Sequence, residues 1–194
     1  MENTQKKQSE KKKNNLQILL MVAAFLFGAV YLFFDADRTP DSIITLDGFE
    51  MEINSTKASD LKEAGFSVTG GPVIIGAKEF TSFSYKIKKD GKSFGAVGLA
   101  NYTSGDKMSE ECTIISYYFN GYNSSDISPL LNGKDYKGLT FEQAIKELGE
   151  PEDEYNSSGQ TKYQFGKKKK ITELTFDKTR ENQLSSMFVE YKVQ

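Results

Sequence analysis

The chain has 194 residues, 14 Phe, 10 Tyr, no Trp and a formal net charge of −2. It has no histidine and one cysteine, Cys112. Those counts exclude zinc sites built on His and Cys, Ser-His-Asp and Cys-His nucleophiles and an intramolecular disulfide, and leave catalysis by carboxylates or lysine open.

Residues 1–15, MENTQKKQSEKKKNN, are polar, with Lys6, Lys7, Lys11, Lys12 and Lys13 against Glu2 and Glu10. Residues 16–34, LQILLMVAAFLFGAVYLFF, carry no charge. At about 1.5 Å per residue, a helix of that length reaches about 28 Å, close to the hydrocarbon thickness of about 30 Å. The pattern predicts a single-pass transmembrane signal anchor. The positive-inside rule then puts the tail in the cytoplasm and the C-terminal bulk outside the cell membrane. A cleaved signal peptide and a buried core helix are the alternatives, although Phe34-Asp35-Ala36 is a poor cleavage site. DADRTPD, residues 35–41, reads as a short linker. The part after the span holds 20 basic and 25 acidic residues, a balance of −5. Nucleic acid is therefore not an expected partner, since phosphate binding needs clustered Lys and Arg. The lack of paired cysteines, with much Lys, Asn and Ile, points to a bacterial envelope.

The first unit is expected over 42–122. Ile43-Ile44-Thr45-Leu46, Asp47-Gly48 and Phe49–Ile53 read as a hairpin, since Asp-Gly suits a tight turn between strands. A helix is expected over 56–64, capped by Ser55 or Thr56, with Ala58, Leu61 and Ala64 on one face and Gly65 at its end. Strands follow at 80–88, 93–102 and 111–120, with a turn at Asp90-Gly91. In the first of these, Phe83, Tyr85 and Ile87 are expected to face one way and Ser82, Ser84, Lys86 and Lys88 the other.

The second unit is expected over 123–194. Leu130-Leu131-Asn132-Gly133 is another turn signal. Thr140-Phe141-Glu142-Gln143 is a capping box. Phe141, Ala144, Ile145 and Leu148 form an apolar stripe, Gly149 ends the helix, and Pro151 bars its resumption. Strands follow at 161–165, 170–176 and 184–193. A shift of about 84 positions lays Thr56 on Thr140 and Gly65 on Gly149, which reads as an internal duplication. The predicted fold class is α+β: an N-terminal transmembrane helix, then two tandem small units, each a short helix on an antiparallel meander.

Gly138-x-Thr140, with Ala144, Leu148-Gly149, Pro151 and Tyr163-x-Phe165, resembles the repeat unit of the β-lactamase-inhibitory-protein-like fold, which is similar to that of small outer-membrane-assembly lipoproteins. The match is best over 127–193. The resemblance implies tandem units whose concave sheet surface grips another protein. This chain departs from it in having one helix per unit, no disulfide and a predicted span.

The strand around Cys112-Thr113-Ile114-Ile115-Ser116-Tyr117-Tyr118-Phe119 is apolar on both faces, with Ile115, Tyr117 and Phe119 on one and Cys112, Ile114 and Tyr118 on the other. It is either covered on both sides by the protein or it leaves an aromatic face open as an interface. Tyr102, Tyr117, Phe119 and Tyr122 are the candidate protein-binding face. Cys112 reads as a structural thiol. Glu150–Glu154 reads as a solvated acidic loop without calcium-loop spacing. Lys167–Lys170 reads as a solvated hairpin tip, with an anionic polymer or lipid as the alternative ligand. No catalytic residue, metal site or cofactor is predicted. The expected function is a non-enzymatic, membrane-anchored binding or accessory module of the envelope with a protein partner. The alternatives are a sensory ectodomain for a wall component and a carboxylate-based hydrolase.

Overall fold

Three tight turns set the strand registers. Asp47-Gly48, Asp90-Gly91 and Asn132-Gly133 all have positive φ at both positions, the type I′ geometry whose twist matches that of paired strands. The first joins β1 (Ile43–Leu46) to β2 (Phe49–Glu52). The helix α1 follows at Ala58–Glu63, then β3 (Ser67–Thr69) and β4 (Ile74–Ile75). The second turn joins β5 (Tyr85–Lys89) to β6 (Lys92–Ala100). β7 (Lys107–Met108) and β8 (Thr113–Asn120) complete the first half. The third turn joins β9 (Leu130–Leu131) to β10 (Lys134–Asp135), followed by α2 (Phe141–Leu148). Then come β11 (Asp153–Asn156), β12 (Gln160–Phe165), β13 (Lys170–Asp177) and β14 (Gln183–Tyr191). The computed structural model describes residues 42–123, 127–135, 137, 140–166, 169–180 and 183–193. All of them belong to one unit, Thr39–Gln194.

The expected fold class is corrected to mostly β. Two short helices accompany fourteen strands among the described residues. The halves do not stand as two helix-on-meander units. Their strands run into one antiparallel eight-stranded sheet in the order β11-β12-β13-β14-β8-β6-β5-β3. β8 and β14 form the seam, with Tyr117 opposite Val189 and Tyr118 opposite Phe188. In separate meanders both would be edge strands with open backbone groups, and pairing them removes two edges. The hairpins join in the same way in a smaller sheet, β10-β9-β1-β2. Each half thus gives one hairpin, one helix and four strands of the large sheet; β4 and β7 pair separately.

The register decides which sheet face is covered. Tyr85, Val97, Tyr117, Val189, Thr172 and Phe165 are successive cross-strand partners, so they share a face. All six are buried. They join a core that includes Ile44, Leu46, Met51 and Leu131 from the small sheet and Leu61 and Ala144 from the helices. Phe141 of α2 stacks on Tyr163 with ring centroids 3.6 Å apart.

Local differences from the sequence expectations have physical causes. α1 begins later than predicted because Thr56 is used in the preceding turn, its hydroxyl accepting from the Glu52 N–H at 2.9 Å. The Asp60 carboxylate accepts from the Lys57 N–H instead. The strand expected from residue 80 begins at Tyr85, because Phe83 has φ 44° and breaks the alternation. Asp153 and Glu154 of the expected acidic loop belong to β11, which pairs with β12 as an edge strand.

The expected anchor 16–34, the tail 1–15 and the linker 35–41 lie outside the described residues. Among the described residues no helix is long and apolar enough to cross a membrane; the longer, α2, has 8 residues, about 12 Å. The single-pass anchor, the membrane as integral partner and the cell-membrane address with an extracytoplasmic domain are corrected accordingly, since the structure gives them no support.

Candidate functional site

One position along the strands from the buried row lies its opposite. Thr69, Lys86, Ala96, Tyr118, Phe188, Glu173, Gln164 and Asp153 are register partners across all eight strands. None is buried. They mark the open face of the sheet, with two aromatic residues paired at its seam.

A third ring completes this centre. The segment before β5 crosses the open face above Gly98, where an added Cβ would lie 2.5 Å from the Thr81 carbonyl oxygen. Thr81 is tied to β6 by its N–H, which donates to the Leu99 carbonyl at 2.8 Å, and by its Oγ1, which accepts from the Leu99 N–H at 3.1 Å. Phe83 then turns through its left-handed backbone conformation and sets its ring 5.8 Å from Tyr118 and 4.9 Å from Phe188. Such a conformation is rare for a bulky residue and costs of order 1–3 kcal/mol. The centre is therefore Phe83, Tyr118 and Phe188, all half-buried.

Charge differs on the two flanks. Lys86 and Lys88 are exposed on β5. On the far flank the Lys162 ammonium lies 3.1 Å from Glu173 and 4.8 Å from the centroid of the Tyr155 ring. Glu190 is on the same face. Burial lifts its carboxyl above the usual range, Lys192 opposes this, and Glu173 adds to it.

The four residues singled out from sequence do not form one face. Tyr117 and Phe119 are core residues, 0% and 1% exposed, and are corrected as surface candidates. The Tyr117 hydroxyl donates to the Phe94 carbonyl at 2.8 Å. Tyr102 and Tyr122 are exposed but sit at opposite ends of β8. The Tyr102 hydroxyl donates to Asn54 Oδ1 at 2.5 Å. The Tyr122 hydroxyl donates to Asp177, and the Arg180 guanidinium lies 4.6 Å from its ring centroid. Sequence reading missed all three residues of the centre, Phe83, Tyr118 and Phe188, as site residues. The available signal for Phe188 was an aromatic residue in phase with Ser186 and Glu190, on the polar side of an alternating strand.

Cys112 is buried, and its Sγ lies 3.4 Å from the Met108 carbonyl oxygen. Burial raises its thiol above the ordinary value, which disfavours the nucleophilic thiolate. Among the described residues no group of three or more His, Cys, Asp or Glu side chains is placed to hold a metal ion. No protein-family model, curated protein or solved structure matches this chain.

Proposed function

We propose that the chain is a non-enzymatic binding or accessory module whose open sheet face grips another protein. The observation that carries this reading is the half-exposed trio Phe83, Tyr118 and Phe188 at the seam. Aromatic rings are enriched at the centres of protein interfaces, where they bring apolar area at small entropic cost. The backbone strain at Phe83 points the same way, because strain concentrates at positions that act. The partner this face fits presents an apolar projection to the trio. It carries acidic groups over Lys86 and Lys88 and a basic group over Glu190, Glu173 being already paired with Lys162.

The test is affinity capture with the wild-type chain beside Tyr118→Ser/Phe188→Ser and Lys146→Ser. Lys146 lies on α2, the helix that covers the other side of the sheet. The partner captured by wild type and by Lys146→Ser should bind the double variant about 30-fold more weakly or less, with circular dichroism showing that the variant is folded. Undiminished capture by the folded double variant would overturn the assignment.

A further inference from the structure

A cleft of about 480 Å³ opens where the end of β6, the start of β8 and the end of β14 meet. Three lysines line it: Lys78, Lys169 and Lys192. The Lys169 carbonyl accepts from the Lys192 N–H at 2.7 Å, so the backbone sets these two lysines side by side. Neither ammonium forms an ion pair among the described residues. Lys78 adopts a left-handed backbone, φ 61°. Its ammonium is held beside the cleft by donating to the Tyr102 carbonyl at 2.6 Å. Among the described residues Glu79 is the one carboxylate in the lining, and its Oε2 accepts from the Gly76 N–H at 3.2 Å within its own turn. The rings of Tyr102 and Tyr191 supply the remaining large side chains of the wall.

We infer that this cleft binds a small molecule carrying a phosphate or pyrophosphate group. Three lysines from separate chain segments lining one cleft match an anion with several oxygens better than a two-oxygen carboxylate. The volume falls in the range of small-molecule sites, and the tyrosine rings give the body of such a ligand an apolar wall. Lys169 also belongs to the run Lys167–Lys170, so this one lysine of the run acquires a role beyond keeping a hairpin tip soluble. The cleft shares no lining residue with the Phe83–Tyr118–Phe188 centre, and the inference stands independently of the protein-binding reading.

The experiment is isothermal titration calorimetry of the full chain with inorganic pyrophosphate at low ionic strength. One saturable event is expected, weakening as NaCl is added. Lys169→Gln/Lys192→Gln should weaken it about 10-fold or more, with an unchanged thermal melt showing that the variant is folded. Lys162→Gln, on the sheet face, should leave it unchanged. The absence of saturable heat, equal binding by the double variant, or an equal loss in Lys162→Gln would each overturn the inference.

Discussion

Asn101 offers a prediction with a magnitude that follows from geometry. It is 2% exposed. Its Nδ2 donates to the carbonyls of Ile75, Gly76 and Gly105 at 3.0, 3.1 and 2.7 Å. Its Oδ1 accepts from the Thr103 N–H at 3.0 Å and the Thr103 hydroxyl at 2.7 Å. One amide thus ties the end of β4, the turn after it and the loop after β6. Asn101→Ala strips the donor from three carbonyls. The contact to Ile75 is buried, whereas Gly76 and Gly105 have partial access to water. At about 1–3 kcal/mol for each fully buried orphan and less for the others, the total is about 3 kcal/mol. For a unit of this size that lowers Tm by about 6–12 °C, readable by circular dichroism on the full chain. Asn101→Asp keeps the shape but points a carboxylate oxygen at the same carbonyls, which favours the protonated acid in the folded state. The folded pKa then lies above the unfolded value of about 3.9. The folded state binds more protons, so this variant loses stability as pH rises. Its deficit should be smallest below pH ~4 and widest near pH 7. A Tm drop under about 2 °C for Asn101→Ala, or a pH-independent deficit for Asn101→Asp, would refute the reasoning.

Thr140→Ala removes the oxygen that accepts from the Gln143 N–H at 3.4 Å and leaves the capping box with its other half alone, the bond from the backbone N–H of residue 140 to Gln143 Oε1 at 2.9 Å. Chemical denaturation should show a loss of about 1 kcal/mol. Gly149→Val should cost more, through the backbone alone, since φ is +86° and nothing lies within 4 Å of an added Cβ. The Tyr122 hydroxyl, then the Thr179 hydroxyl and N–H, hold the Asp177 carboxyl below the usual range. A depressed folded pKa gives stability present above about pH 4 and lost as pH falls through the folded value. Tyr122→Phe should raise the Asp177 pKa in an NMR titration and shrink that acid-sensitive contribution. Cys112→Ser should cost about 1 kcal/mol by placing a hydroxyl in an apolar site. The native thiol should react with a disulfide reagent only after unfolding.

The turns were legible in the sequence because Asp-Gly and Asn-Gly have few other uses between apolar strands. The start of α2 was legible because Thr140 and Gln143 satisfy each other's backbone locally. Thr56 looked like an equivalent cap, but a competing contact, from the Glu52 N–H, claimed its hydroxyl. The joining of the halves was not legible. Nothing local in β8 or β14 states which strand will lie beside it, and two edge strands could each have ended a separate sheet. Phe83 looked like a core residue because period-2 alternation assumes an unbroken strand, and its positive φ moved the ring to the opposite face. Tyr117 and Phe119 were recognisable as large residues of a two-sided apolar strand. Only the register showed that their side is the covered one and that Tyr118 faces out.

The central claim is that the open face of the joined sheet is the surface that meets another protein. The most direct measurement is photo-cross-linking with p-benzoylphenylalanine, placed by Phe188→p-benzoylphenylalanine in one chain and by Lys146→p-benzoylphenylalanine in another. Irradiation should join the first chain, and not the second, to the protein captured by wild type. Cross-linking from position 146 with none from position 188 would contradict the assignment.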